Sequence, residues 1–455
     1  MLARHPGIEE AAGAVFDGQL AAYFTSRGAA PLLVEIRQYL AERLPAYMVP
    51  AFLIALGEFP LTPNGKIDRS ALPAPEVTRH ASRFVAPREP LELKVAAVWE
   101  RVLGIRPVGV KDNFFDLGGH SLLAVRLAVL LEKETGQRVP LAAILRGPTV
   151  EQLACMLRRE APPRVVSALV PIQSAGARPA FFCVPGAGGN VIYLYNLARH
   201  LGEDQPFYGL QGVGFEGEAA PQREVEEMAA HYLRAVESVQ PGGPYFLGGH
   251  SLGGWVAYEM AQQLARRGQP VGLVAIVDTP VPLAAEGRDN SDWSEARWMC
   301  ELAGRIGQLL NPDLEIPLEV LEALDGAAQL EYFRAALVEA RLFPEEAGSA
   351  QIRNVLEMFK AHAQVRYRVP DRPLPVPLAL LRTHVEPAGR PADADISWGW
   401  SALAPTEVHF VPGEHLTALR APHVQALAER LSLCLDDAQR AVAQPRETVA
   451  SCPLR

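Results

Sequence analysis

A chain of 455 residues, 49% apolar and 21% charged, is too long for one hydrophobic core and too apolar for a disordered chain, so several folded domains are predicted. The formal net charge of −9 and the lack of a basic cluster exclude a general nucleic-acid binder. No run of about twenty apolar residues could span a membrane, the N-terminus MLARHPGIEE lacks the apolar stretch of a secretory signal, and the 5 cysteines form no CxxC pair, which predicts a cytoplasmic protein with reduced thiols and no metal site.

The first block, residues 1–73, mixes short strand-like runs with one helix over 32–44, where Leu33, Ile36, Leu40 and Leu44 recur at three- and four-residue steps and define a buried face. It reads as a small α+β subdomain. Residues 74–87 belong to a Pro-rich, polar stretch without periodicity, a linker.

The second block, residues 88–160, is helical. A helix over 91–104 carries Leu91, Val95, Val98 and Leu103 as a stripe and stops at Gly104. Another begins at or just after Ser121, and a last one over 149–159 is capped by Thr149. The pattern is a four-helix bundle. A second break, 161–170, follows.

The third block, residues 171–435, alternates. The runs PAFFCVPG, PFYGLQG, PYFLGGHS, VGLVAIVD, VPLALLRT and TEVHFVPG are strand-like and separated by helical text, which predicts a mostly parallel sheet covered on both faces. Between Asp278 and Val376 helical sequence interrupts this rhythm, and an insertion at about 282–365 reads as a lid. The polar segment 436–455 is predicted to fray.

GGHSLGG contains G-x-S-x-G as Gly249-His250-Ser251-Leu252-Gly253, between a strand-like run and a helical one. This context predicts an α/β-hydrolase elbow, in which a strained turn lifts the Ser251 hydroxyl out at the head of a helix. The acid and then the base should follow in the chain. Asp278, at the end of the next strand, is the candidate acid, with Glu386 one strand later as its competitor. His415, in the loop after the last strand, is the candidate base, with His384 as the alternative; His409 and His423 read as structural or surface residues. The oxyanion hole should take one amide from Leu252 and a second from VPGAGGN, at Gly186 or Ala187. That loop does not have the G-x-G-x-x-G spacing of a dinucleotide site.

DNFFDLGGHSL places Ser121 after similar glycines, but at the start of a helix in a small bundle, where physics alone makes it a cap. The segment resembles the peptidyl and acyl carrier proteins, whose serine in D-x-F-F-x-L-G-G-H-S-L carries 4′-phosphopantetheine. The resemblance implies covalent attachment at Ser121 by a phosphopantetheinyl transferase. LPAYMVP and PLTPNGKIDRSAL resemble signature segments of the C-terminal subdomain of nonribosomal peptide synthetase adenylation domains, with Lys66 on that family's mobile catalytic lysine. The family's large N-terminal subdomain falls outside this sequence, so adenylation by this chain alone is not expected. GHSLG, AIVDTP, WGW and VPGEHLTALRAPHV resemble the type I thioesterases that end such assembly lines, which favours Asp278 over Glu386.

Taken together, the resemblances imply the releasing end of a nonribosomal peptide synthetase, supplied by upstream adenylation and condensation domains. A peptidyl group held at Ser121 would pass to Ser251 and leave by hydrolysis or macrocyclisation. The alternatives are a polyketide or hybrid terminus, an editing thioesterase, and a carrier with an inactive hydrolase.

Overall fold

The computed structural model describes residues 1–16, 19–26, 36, 39–40, 50, 52–62, 67–69, 71–72, 84–117, 119, 121–158, 168–215, 217–282, 290, 292–310, 314–340, 342–343, 345, 348–370, 373–386, 395–420 and 422–443. The chain divides into two compact units, one of Met1–Val165, Arg334–Gly348 and Arg420–Pro422, the other of Val166–Phe333, Ser349–Leu419 and His423–Arg455.

In the first unit, β1 (Ile8–Phe16), β2 (Gln19–Ser26) and β3 (Phe52–Ala55) form one sheet, with β1–β2 antiparallel and β2–β3 parallel. Ile36, Tyr39 and Leu40 are helical and buried against Leu2, Ile8, Ala22, Phe24 and Leu53, so the spacing expected of that helix closes one face of the sheet. Its remaining apolar positions, Leu33 and Leu44, lie outside the described residues, as does Lys66.

The same unit holds α1 (Pro90–Leu103), α2 (Ser121–Thr135), α3 (Leu141–Arg146) and α4 (Val150–Arg158). Helix α1 buries Val95, Val98, Trp99 and Val102 and ends at Gly104 in the left-handed region, φ 70°. Thr149 caps α4 through a reciprocal pair: its Oγ1 accepts the Gln152 amide at 3.3 Å, and its own amide reaches the Gln152 side-chain oxygen at 3.3 Å. The loop before α2 is set by Phe114, buried edge-on against Trp99 at 5.2 Å, and by Asn113, whose side chain accepts the Phe115 amide at 2.9 Å.

The second unit is built on a 7-stranded sheet in the order β10-β9-β8-β7-β5-β6-β4. Its strands are β4 (Leu169–Gln173), β5 (Phe181–Val184), β6 (Phe207–Leu210), β7 (Tyr245–His250), β8 (Val271–Val277), β9 (Leu378–Arg382) and β10 (Thr406–Phe410). All neighbours pair in parallel except β4, which runs antiparallel to β6 at the edge. Strand β4 straddles the sequence boundary expected at residues 170–171, and Pro171 hid it. An edge strand tolerates a residue that cannot donate to the ladder.

Helices α5 (Tyr195–His200), α6 (Val225–Glu237), α7 (Leu252–Arg266) and α12 (Val424–Ala443) accompany the sheet, and α8 (Glu295–Leu310), α9 (Leu318–Glu322), α10 (Gly326–Glu339) and α11 (Ser349–Ala363) fill the interval between β8 and β9. Strands β5, β7 and β9 are buried throughout, and α7 is buried on nearly every side, packing Val256, Met260 and Leu264 into the central core with Trp398 and Trp400. The break expected at residue 436 falls inside α12. Leu431, Leu435 and Ala438 keep the apolar stripe of this helix buried past that point, and Asp436 pairs with Arg178. Residues 444–455 of the expected tail lie outside the described residues.

Candidate active site

The elbow follows from its sequence. Strand β7 ends at His250, α7 begins at Leu252, and Ser251 between them has φ 56° and ψ −130°. A side-chain-bearing residue rarely adopts this geometry, and the surrounding contacts hold it there. Gly249 is required by its neighbours, since a Cβ there would lie 1.9 Å from the Gly253 carbonyl oxygen. Helix α7 begins at the residue after Ser251, and a helix N-terminus favours negative charge beside it.

His415 Nε2 stands 3.0 Å from Ser251 Oγ, and its Nδ1 stands 2.9 Å from Asp278 Oδ2. The other carboxylate oxygen of Asp278 accepts the Thr383 amide at 2.6 Å. Burial alone would raise the Asp278 carboxyl, but His415 and the Thr383 amide outweigh it and hold the group below the ordinary carboxylate value. Asp278 is itself in the left-handed region, φ 49°, immediately after β8. The segment beyond it is locked by tryptophans: Trp400 donates to the Thr279 carbonyl at 2.7 Å, and Trp255 to that of Pro280 at 2.8 Å. Thr279 Oγ1 donates in turn to the Ser251 carbonyl at 3.0 Å.

The other candidates are engaged elsewhere. Glu386 pairs with Arg382 and accepts the Trp398 indole N–H at 2.8 Å. His384 stacks on Phe410 at 4.8 Å. His409 contacts Cys434 Sγ at 3.3 Å, and the His423 ring packs beside Gly413. Burial pushes the Cys183 and Cys434 thiols up to about 12, so neither offers a competing thiolate.

The two oxyanion candidates differ. Leu252 is the first residue of α7, and among the described residues its amide has no protein acceptor. The Gly186 amide does have one: it donates to the Tyr193 hydroxyl at 2.7 Å. Ala187, one residue on and exposed, is the alternative donor expected from this loop, and its amide has no acceptor among the described residues. Sequence reasoning missed three residues around this site. Tyr193 and His250 connect the loop to the base, and His362 of α11 accepts the Gly188 amide at 3.1 Å. His250 lies inside the G-x-S-x-G motif and could have been questioned there; nothing local marks Tyr193 or His362.

Ser121 is the first residue of the 15-residue helix α2. Its position suits a phosphodiester, since the unpaired amides of a helix N-terminus attract one. Among the described residues no cluster of His, Cys, Asp or Glu could hold a metal ion, and no described helix is long and apolar enough to cross a membrane.

Comparison with known proteins agrees with this geometry. A thioesterase-domain model matches residues 179–433, a phosphopantetheine attachment site model residues 94–157, and an AMP-binding enzyme C-terminal domain model residues 1–66. The chain is 34% identical over 450 residues to chondramide synthase cmdD of Chondromyces crocatus, covering 95% of this chain and 11% of that protein. It is 40% identical over 282 residues to a dimodular nonribosomal peptide synthase of Bacillus subtilis, covering 61% of this chain and 12% of the relative. A crystal structure of a holo four-domain nonribosomal peptide synthetase bound to AMP and glycine aligns with TM-score 0.56 and 30% identity over 95% of this chain and 33% of that one. The chain thus spans about a tenth of the length of these curated relatives. The second unit is an α/β-hydrolase thioesterase domain, a carrier domain with a phosphopantetheine attachment site precedes it, and the chain belongs to the thioesterase family and is similar to part of nonribosomal peptide synthetases.

Proposed function

We propose that this chain releases finished peptides from a nonribosomal peptide synthetase, with Ser251 as nucleophile, His415 as base and Asp278 as the acid that orients it. The observation that supports this most is the continuous contact from Ser251 Oγ through the His415 ring to Asp278. In the resting state His415 Nδ1–H donates to Asp278, which leaves Nε2 free to accept the Ser251 proton. Ser251 Oγ attacks the acyl-thioester carbonyl, and the Leu252 and Ala187 amides receive the oxyanion. As the C–S bond breaks, His415 returns the proton to the departing thiol. Water, or an amine or hydroxyl of the peptide, then gives its proton to His415 and attacks the ester, and as the bond to Ser251 Oγ breaks His415 returns that proton to Ser251.

Ser121 is the proposed attachment residue, and the 4′-phosphopantetheine it holds supplies the thiol that delivers the acyl group. We assign residues 1–73 to the adenylation subdomain, 88–160 to the carrier and 169–443 to the thioesterase, with linkers at 74–87 and 161–168 and the lid at about 282–365. Lys66 keeps a role only where an upstream adenylation subdomain supplies the substrate. The partners are that subdomain, an upstream condensation domain and a phosphopantetheinyl transferase, all cytoplasmic.

A fluorophosphonate probe tests the reading directly. It should label Ser251, and Ser251→Ala should abolish both labelling and thioester turnover. A folded wild-type chain that neither labels nor turns over a peptidyl thioester would refute it. Product analysis then separates a linear acid from a macrocycle.

A further inference from the structure

Tyr193 lies in the single 3₁₀ turn Ile192–Leu194, just beyond the glycine-rich loop. Its hydroxyl accepts the Gly186 N–H at 2.7 Å and stands 3.2 Å from His250 Nδ1. On the far side of that ring, His250 Nε2 stands 2.8 Å from the carbonyl oxygen of His415. The proton positions follow from the partners. A carbonyl can only accept, so His250 Nε2 carries a hydrogen. Burial, reinforced by the neighbouring His415 ring, lowers His250 to about 3, so the ring is neutral and Nδ1 is a bare acceptor. The Tyr193 hydroxyl must then donate to Nδ1, and its oxygen receives the Gly186 amide.

The result is one chain with a single sense: Gly186 N–H to Tyr193 O–H to His250, and His250 Nε2–H to His415 C=O. It begins one residue before the Ala187 amide, passes through the residue adjoining Ser251, and ends on the backbone of His415. The three parts belong to segments far apart in sequence, and this chain joins them beneath the triad. Contact is close, since a Cβ on Gly186 would lie 3.1 Å from Ser251 Cβ and 3.3 Å from His250 Nδ1. The His250 and His415 rings pack at 4.9 Å.

We propose that Tyr193 and His250 are positioning residues of the thioesterase reaction, which hold the oxyanion loop and the His415 backbone in register with Ser251. The inference rests on the assignment of Ser251, His415 and Asp278 above. Without the hydroxyl, Gly186 N–H and His250 Nδ1 lose their partners, and the loop and the base can shift separately. A displacement of about 1 Å at such a site can cost 10²-fold in rate. A loss of register smaller than that should lower kcat while leaving KM, which reports ground-state binding, unchanged.

The test uses the full chain and an acyl-N-acetylcysteamine thioester. Tyr193→Phe should lower kcat about tenfold at constant KM, within the range a sub-ångström displacement allows. The two side-chain amides divide the role of His250. His250→Gln can place an N–H near the position of Nε2 and keep the bond to His415, so it should retain more activity than His250→Asn, whose shorter amide reaches only the Nδ1 side. Tyr193→Phe combined with His250→Asn should be less damaging than the product of the single effects, because both cut one chain. Tyr193→Phe with wild-type kcat overturns the proposal, as does a loss confined to KM. If the His250 variants do not fold, Tyr193→Phe, which removes a single oxygen atom, decides alone. Fluorophosphonate labelling separates the two levels: wild type that labels at Ser251 beside an unimpaired Tyr193→Phe refutes the positioning role only, whereas wild type that neither labels nor turns over refutes the triad and this inference together.

Discussion

Trp398 donates its indole N–H to Glu386 at 2.8 Å, and that bond removes Glu386 from the chemistry. The same carboxylate pairs with Arg382, whose guanidinium is buried and lies 3.9 Å over the Trp398 ring. Glu386 therefore anchors the buried tryptophan segment, while Asp278 faces His415. Asp278→Asn should lower kcat on an acyl thioester by about 10⁴-fold, the loss expected when the base is held in the wrong tautomer. Glu386→Gln should leave kcat within about tenfold and lower the melting temperature, because the buried Arg382 loses its counter-charge. The reverse ranking in steady-state kinetics would transfer the acid to Glu386.

Acid should destabilise the second unit earlier than its carboxylates alone dictate. Burial lowers His250 to about 3 and His362 to about 4, whereas a histidine in the unfolded chain titrates near 6.5. Between those values the unfolded state binds the proton and the folded state does not, so stability falls as pH falls. Each residue contributes about 1.4 kcal/mol per pH unit through its window. The loss begins below about pH 6.5 and ends near pH 3 for His250 and pH 4 for His362. Asp278 acts in the same direction only at lower pH, since its depressed carboxyl must take up a proton below the ordinary carboxylate value. Melting temperatures measured from pH 7 down to pH 5 should decline more steeply for wild type than for His250→Gln. Parallel curves would mean that His250 is not held neutral.

The elbow was legible because it rests on local sequence with one steric solution, whereas the residues alone left the acid open between Asp278 and Glu386 and only the resemblance favoured Asp278. Gly249, Ser251 and the strand–helix switch around them admit little else, and the chain order of Ser251, Asp278 and His415 follows from the sheet. The first strand of the sheet was not legible, because Pro171 imitates a linker and only its edge position in the antiparallel pair with β6 makes it tolerable. The end of α12 was lost for the opposite reason: Asp436 and Asp437 look like solvent-exposed tail residues, yet Leu435 and Ala438 beside them are buried. Tyr193 and His362 carry no local signal at all. Their partners are backbone amides brought to them by the glycine-rich loop, and side-chain patterns do not report backbone donors.

Gly249 offers a sharper test of the elbow than any catalytic residue. A methyl group there would sit 1.9 Å from the Gly253 carbonyl oxygen and 2.7 Å from the Gly254 amide nitrogen, both backbone atoms that cannot move aside as a side chain could. Gly249→Ala should therefore distort the turn, abolish fluorophosphonate labelling of Ser251 and lower the melting temperature. Gly304, in α8, has open space where its Cβ would be, so Gly304→Ala should label normally and be as stable or more so. Equal labelling of the two variants would show that the strained turn is not needed.

Ser121 and Ser251 sit in nearly identical GGHSL text, and their separate roles predict separable defects. Ser251 has His415 at 3.0 Å to take its proton; Ser121 begins a helix whose amides suit an attached phosphate. Incubation with a phosphopantetheinyl transferase and coenzyme A should add one pantetheine group to wild type and to Ser251→Ala, but none to Ser121→Ala, as read by intact-protein mass spectrometry. Ser121→Ala should still hydrolyse a free acyl-N-acetylcysteamine thioester at the wild-type rate and fail only with acyl groups delivered through the carrier. Ser251→Ala should load normally and then retain its acyl group. If Ser121→Ala also lost turnover of the free thioester, the carrier serine would belong to the hydrolytic site, and the division of labour between the two serines would be wrong.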